Sequence, residues 1–310
     1  MKTFTALVKR EVLDGKNGYI RVPLILTGIT LLLLILSTLG LGNVTYSSGM
    51  EQEGIHNFGD IMKLAAEGDL SEMSPAIALL YWATTALTWV AFPFVIFFSL
   101  LGALYEERRD RSILFWKSMP VADWQEVSAK FFTPLILAPA AFLAVVIAAQ
   151  LFSALYLSIM MMFQGGPVLD LWPVGLMVRS WFVFFAHYLL WMVWAMPILA
   201  WLLFVSSFAR RMPFLWAILV PIVLMVSESM FLRSHVIANW IGLHLGGWQE
   251  AAFGNGDYNI KRPGDVLNVI LGDVQMDGLI YTLSTPQFWL GLVIAAGFIM
   301  GAIAMRKRAI

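Results

Sequence analysis

Six long runs of residues that contain few or no charges constrain this chain more than any other feature. A membrane-spanning helix needs about 20 consecutive, mostly apolar residues, and each run is long enough to supply one. The runs lack the period-two alternation of membrane-barrel strands. The sequence therefore predicts an all-α integral membrane protein, one domain over residues 1–310, with transmembrane helices at 20–42, 77–104, 132–162, 181–207, 213–232 and 285–305.

Composition supports this class and excludes others. Hydrophobic residues make up 60% of the 310 residues and charged residues 13%, whereas soluble domains average about 45–50% and about 25%. An ordinary soluble enzyme is therefore excluded. The 20 basic and 20 acidic residues balance, which argues against a nucleic-acid partner. The chain has no cysteine, so disulfides and thiolate metal sites are excluded.

The distribution of Lys and Arg predicts the orientation. Cytoplasmic segments of membrane proteins carry an excess of these residues. With the N-terminus inside, 15 of the 20 basic residues fall on the cytoplasmic side and 5 on the other. Both termini are therefore predicted to be cytoplasmic, and membrane lipid surrounds the spans.

Two segments outside the spans carry helical or membrane-surface patterns. Residues 1–18 have the pattern of an amphipathic helix. One face holds Phe4, Leu7, Val8 and Val12, and the other holds Lys9, Arg10 and Asp14. This pattern predicts an interfacial helix rather than a frayed tail. The external segment 233–284 opens with a charge-free stretch too short to span, which predicts a re-entrant or interfacial helix pair. The acidic external loop 42–72 is predicted to hold a short helix at 61–66.

The cytoplasmic loop 105–130 reads YEERRDRSILFWKSMPVADWQEVSAK. Its apolar run at 113–116 is too hydrophobic for a free loop, and Pro120 ends it. Asp123 and Glu126 have the spacing of a capping box that restarts a helix. The run either docks into a groove of a partner protein or anchors at the membrane interface, where Trp is common.

The motifs that are absent narrow the function. The chain has no P-loop, no H-E-x-x-H and no G-x-S-x-G, and its four histidines are far apart. The polar residues within spans are candidates for a transport pathway, although helix–helix hydrogen bonding is the commoner use; these candidates are Gln150, His187 and Glu228. Glu228 lies near the outer end of its span, where pairing with Arg233 is the alternative.

The layout and the 105–130 loop resemble the ABC-2 type permeases, the membrane subunits of bacterial ABC exporters with a type V-like fold. Members of that family have an amphipathic N-terminal helix, six spans, a coupling loop after the second span and a re-entrant segment before the sixth. The loop carries the sequence match at Glu107, Arg111-Ser112, Ile113–Trp116, Pro120-Val121 and Lys130. Arg-Ser stands where the family usually has Gly-Thr, and Phe115-Trp116 where it usually has Leu-Leu.

The resemblance implies that two permease subunits, identical or different, form a pathway in the bacterial inner membrane. Two copies of a separate P-loop ATPase would bind ATP and Mg below them, so this chain is expected to be no enzyme and to hold no cofactor or metal. The residues implied to couple to the ATPase are Glu107, Arg108, Arg109, Arg111, Ile113, Leu114, Phe115, Trp116 and Pro120. Arg210 and Arg211 would make a lesser contact.

Two other functions remain open. One is an ion- or proton-coupled secondary transporter that uses Glu228 and His187. The other is a sensor or accessory protein that shares the fold and transports nothing. The family exports peptides, antibiotics, lipids and ions, so the resemblance does not select a substrate.

Overall fold

The computed structural model describes residues 2–39, 74–247, 280 and 282–308, and no strand occurs among them. Six helical segments are long and apolar enough to cross a membrane, which confirms the predicted number and gives the chain the architecture of a multi-pass membrane protein. These segments are Asn17–Thr38, Ala86–Arg109, Asp123–Gln164, Val168–Trp194, Pro213–Leu232 and Pro286–Arg308. The predicted external helix at 61–66 and most of the segment 233–284 lie outside the described residues.

Twelve α-helices are described in this part of the chain. They are α1 Lys2–Asp14, α2 Val22–Thr38, α3 Ser74–Ala83, α4 Ala86–Gly102, α5 Tyr105–Arg109, α6 Ile113–Lys117, α7 Asp123–Gln164, α8 Val174–Trp194, α9 Met196–Phe208, α10 Pro213–Ser227, α11 Val236–Gly246 and α12 Pro286–Arg308. One π-helical stretch, Asn17–Arg21, leads into α2, and a second, Glu228–Leu232, follows α10.

Two of the predicted spans contain a break. The run 77–104 is divided into α3 and α4 at Thr84 and Thr85, whose hydroxyls bond the carbonyl oxygens of Tyr81 and Trp82. The run 181–207 is divided at Ala195 into α8 and α9. Pro197 lies in the first turn of α9, where its missing N–H costs nothing.

The third span is much longer than the bilayer requires. Helix α7 has 42 residues, which corresponds to about 63 Å at 1.5 Å per residue, roughly twice the hydrocarbon thickness. It begins at Asp123, well before the predicted span. The predicted capping box is wrong, because Ala122 is the N-cap and no side chain caps this end. Glu126 binds arginines from other helices instead.

Helix α9 is largely buried in the bundle. Its Ala200, Leu203 and Val205 are fully buried, and it packs along α12 and against α4. At Gly301 of α12, an added Cβ would lie 2.8 Å from the Phe204 ring, so this close approach requires glycine. The buried face of α9 thus fixes the positions of α4, which leads into the charged helix α5, and of α12, which carries Arg306, Lys307 and Arg308 in its last turn.

Contacts between charged residues bring one end of several helices together. Arg10 of α1 contacts Glu107 of α5, Arg306 of α12 contacts Glu126 of α7, and Arg108 reaches the turn after α9. The spans therefore alternate in direction, and α1 lies at the same end of the bundle as the C-terminus of α12. We call this the cluster end; its location on the cytoplasmic side stays a prediction.

Candidate functional site

Glu107 is the centre of a buried group of ion pairs at the cluster end. Its side chain lies among three cations from three other helices. Lys130 Nζ is 3.1 Å from Glu107 Oε1 and Arg306 Nη1 is 2.8 Å from Oε2, while Arg10 Nη2 also bonds Oε1. Glu107 is only 6% exposed. The acidic residue and the lysine of the family-like loop motif are therefore direct partners.

A second carboxylate, Glu126, connects the same arginines. Arg306 Nη2 lies 2.5 Å from Glu126 Oε2, and Arg10 Nη1 lies 3.2 Å from Oε1. Two residues at the edge complete the group: Glu11 accepts from Lys130 at 3.0 Å, and Asp123 lies 3.4 Å from Arg306. We call these seven residues the charge cluster: Arg10, Glu11, Glu107, Asp123, Glu126, Lys130 and Arg306.

The burial of Arg10 corrects one prediction. The periodicity of residues 1–18 placed Arg10 on the polar face of an interfacial helix. Helix α1 does form, but the Arg10 side chain is only 15% exposed and points toward α5 and α7. Besides the nearby Glu11 and Asp14 it contacts Glu107 and Glu126, 97 and 116 positions away, and a local pattern does not reveal these distant partners.

The Glu11 carboxyl is a member of the charge cluster whose ionised form the cluster does not stabilise. Burial raises the pKa of the Glu11 carboxyl, and the attraction of Lys130 and Arg10 only partly opposes this effect. A nearby cation lowers a carboxyl pKa and desolvation raises it, and here desolvation is the larger influence. Glu11 is therefore a peripheral member whose ionisation is unfavourable compared with water.

The short helix α6 is attached to the cluster end at three points. Ile113 is buried. The Arg10 guanidinium carbon lies 3.5 Å from the centroid of a Trp116 ring, a cation–π geometry. Lys117 Nζ donates to the carbonyl oxygen of Lys307 at 3.3 Å. Motion of α6 is thereby linked mechanically to α1 and α12.

The apolar residues that are exposed around α6 are not the same set as the apolar run 113–116 that the sequence indicated. Leu114 and Phe115 are 58% and 61% exposed, and Met119 and Trp124 are 42% and 56% exposed. We call these four the exposed apolar segment. Ile113 and Trp116 face the protein instead, so they are positioned to hold α6 rather than to meet a partner. Sequence reasoning missed Met119 and Trp124, although both are large apolar residues within a polar loop.

The remaining charged residues of the loop differ in role. Arg108 donates to the carbonyl oxygens of Ser206 and Ala209, the latter at 2.9 Å, and so caps the C-terminus of α9. Arg109 is exposed and pairs with its neighbour Asp110 at 2.9 Å. Arg111 and Pro120 are exposed. Arg108 is therefore available to a partner only in part.

The intramembrane candidates are separate from the charge cluster. Gln150 is 1% exposed, and its Oε1 accepts from Trp181 Nε1 at 2.6 Å, which joins α7 to α8. His187 is buried in α8. The 810 Å³ and 540 Å³ cavities in the described part of the chain are lined by neither residue.

Glu228 accepts hydrogen bonds from three groups that the sequence did not indicate as its partners. Its carboxylate accepts the backbone N–H groups of Val236 and Ile237 at 2.7 and 2.8 Å and the Ser234 hydroxyl at 2.6 Å. A carboxylate at this place accepts hydrogen bonds from N–H groups in the first turn of α11, which have no partner within the helix. Its negative charge also interacts favourably with the positive end of the helix dipole. The predicted alternative, an ion pair with Arg233, does not occur among the contacts of Glu228.

A groove of about 810 Å³ opens beside the charge cluster. Arg10, Glu107 and Lys130 line one part of it, and Phe94, Phe98 and other apolar residues of α4 line another. Tyr19 bonds Ser99 across the same region at 2.6 Å, so the first and second spans are joined there. The groove therefore lies between the charge cluster and the apolar surface of α4.

Comparison of the chain with protein-family models, with curated proteins and with solved structures yields no match.

Proposed function

We propose that this chain is the membrane permease subunit of an ATP-driven exporter of the ABC-2 type, in a bacterial inner membrane with its cluster end in the cytoplasm. The observation that supports this most directly is α6: a short helix with exposed Leu114 and Phe115, held by its other face to the ends of the spans. Exposed apolar residues on a fixed helix are typical of a protein-docking surface.

The contacts supply a route for mechanical coupling. A force on α6 passes through Trp116 to Arg10, and from Arg10 through Glu107 and Glu126 to Arg306. Glu107, Glu126 and Arg306 lie at the ends of the second, third and sixth spans, respectively. In this proposal two ATPase subunits bind ATP and Mg, and closure of their dimer moves the span ends of two permease subunits.

The alternative of a secondary transporter lacks a comparable observation. Its carboxylate candidate, Glu228, is engaged by two backbone N–H groups and one hydroxyl, which supports a role in folding.

Affinity purification of the tagged protein from its native membrane tests the proposal. We expect a P-loop ATPase to copurify with the wild type and to be lost from the double variant Leu114→Ala/Phe115→Ala. The matched control is Phe163→Ala/Leu169→Ala, which removes the same two residue types from exposed positions at the opposite end of α7 and just beyond it, 78% and 84% exposed.

The outcomes separate the function from the docking site. If the wild type recovers no ATPase in mild detergent, the proposed function is wrong. If all three proteins recover it equally, the function stands, but the exposed apolar segment is not where the ATPase binds. If both double variants lose it, general destabilisation is responsible and the assignment of the site fails.

A further inference from the structure

A second cavity at the cluster end is lined by arginines alone among charged residues. Its volume is about 540 Å³, and its four arginines come from four segments: Arg108 of α5, Arg111 of the α5–α6 turn, Arg210 of the α9–α10 turn and Arg308 of α12. No carboxylate lines this cavity in the described part of the chain. It is therefore the electrostatic opposite of the charge cluster, where every cation faces at least one carboxylate.

The side chains of three of these arginines have no partner among the described residues. Arg111, Arg210 and Arg308 are exposed, and their guanidinium groups form neither an ion pair nor a hydrogen bond there. Like charges that converge without counter-charges repel one another. Their convergence is unfavourable for the isolated chain, and an anion in the cavity would remove the repulsion.

The backbone of Arg111 adds a second, independent observation. Its φ is +58°, in the left-handed region that Gly or Asn occupies more readily. Such strain costs of the order of 1–3 kcal/mol and occurs preferentially at ligand-binding sites. Here it brings a guanidinium into the cavity at a position where glycine would have relaxed the turn.

The neighbours of the arginines indicate the kind of anion. Phe208 and Met305 line the same cavity, close to the ends of α9 and of the sixth span. The arginines thus lie at or next to the ends of helical segments long enough to span a membrane, with apolar side chains beside them. Guanidinium groups bind phosphate in a two-point geometry, and basic pockets between span ends hold anionic headgroups.

We infer that this cavity binds the phosphate headgroup of an anionic phospholipid. The phosphodiester would lie among Arg111, Arg210 and Arg308, while Phe208 and Met305 contact the beginning of its acyl chains. Arg108 contributes charge but remains committed to the α9 carbonyls. The inference is independent of the proposed function, because it concerns the isolated chain and a lipid.

Native mass spectrometry of the delipidated protein, titrated with phosphatidylglycerol or phosphatidylcholine, tests the inference. The test variant is Arg111→Gln/Arg210→Gln/Arg308→Gln. The matched control is Arg109→Gln/Arg211→Gln/Lys307→Gln, which removes the same charge from adjacent positions that do not line the cavity. A third arm adds inorganic phosphate alone.

We expect the wild type and the control to bind phosphatidylglycerol in preference to phosphatidylcholine. The test variant should lose at least about 100-fold in affinity, since each hydrogen bond to a charged group contributes about tenfold or more. Equal losses in the two triple variants would indicate diffuse attraction and overturn the inference. Binding of inorganic phosphate without any preference for the anionic lipid would also overturn it, in favour of a soluble anion.

Discussion

Glu107→Gln removes one negative charge from the centre of the charge cluster and leaves the side-chain volume nearly unchanged. The glutamine oxygen can still accept one hydrogen bond, but Arg10, Lys130 and Arg306 lose the carboxylate that lies among them. Because these cations are largely buried, water does not replace it. We expect this single substitution to destabilise the cluster end more than any other removal of one carboxylate.

The magnitude follows from the geometry. Two charges 4 Å apart attract by about 4 kcal/mol at an effective dielectric constant of about 20, and Glu107 has three such partners. Repulsion from Glu126 and the desolvation of Glu107 oppose this attraction. Removal of one member of a buried ion pair typically costs about 3–5 kcal/mol, and we expect Glu107→Gln to fall in this range.

Glu11→Gln is the matched control, because Glu11 also contacts Lys130 and Arg10. Burial raises the pKa of Glu11, so the folded chain binds this proton more tightly than the unfolded chain. The resulting stabilisation is present below the unfolded pKa and is lost as the pH rises through the folded pKa. At neutral pH the charge opposes folding, and Glu11→Gln should change stability by less than about 1 kcal/mol.

Thermal unfolding in detergent measures both variants. At about 2 °C per kcal/mol, Glu107→Gln should lower the midpoint by about 6–10 °C, whereas Glu11→Gln should leave it unchanged or raise it by about 2 °C or less. Equal shifts would refute the assignment of Glu107 as the centre. A double-mutant cycle of Glu107→Gln with Arg306→Gln should give a coupling energy of about 1–3 kcal/mol, and additivity would refute the ion pair.

Three further predictions concern other parts of the chain and use the same unfolding assay. Gly291→Ala should destabilise by about 1–3 kcal/mol, because its Cβ would lie 2.4 Å from His244 Nε2, whereas Gly297→Ala, with open space, should not; equal effects would contradict the packing. Glu228→Gln should cost about 1–2 kcal/mol through the weakened cap of α11, and an unchanged midpoint would show that the cap contributes nothing. Arg111→Gly should be about 1 kcal/mol more stable than Arg111→Gln, because both variants remove the charge and only glycine releases the positive φ; equal midpoints for the two variants would refute the strain.

Part of the site could be read from the sequence and part could not. The 105–130 loop stood out because apolar residues between charges are unusual, and its Glu107 and Lys130 do form a pair. The same reasoning treated residues 113–116 as one surface, yet Ile113 and Trp116 face inward. In a one-turn helix the direction of each side chain depends on what packs against it, here α1 and α12.

The sequence contains local signals for the two helix breaks, which the prediction of continuous spans did not take into account. Pro197 marks the break at Ala195, since proline favours the first turn of a helix and is unfavourable further along. The pair Thr84-Thr85 marks the other break less clearly, because threonine also occurs within spans. Glu228 gave no such signal, because its partners Val236 and Ile237 offer only backbone N–H groups.

The sequence by itself determined the helical membrane architecture, because a run of apolar residues and its transfer into a bilayer are local properties of the chain. It also determined that basic residues gather at the ends of the spans. The tertiary structure decided how those charges are used. Glu107 is joined to Arg10 and Arg306 across 97 and 199 positions of sequence, while Arg111, Arg210 and Arg308 converge without a carboxylate. Whether a charge is neutralised or left for a ligand depends on which helix ends become neighbours, and the packing of α9 against α4 and α12 sets that arrangement.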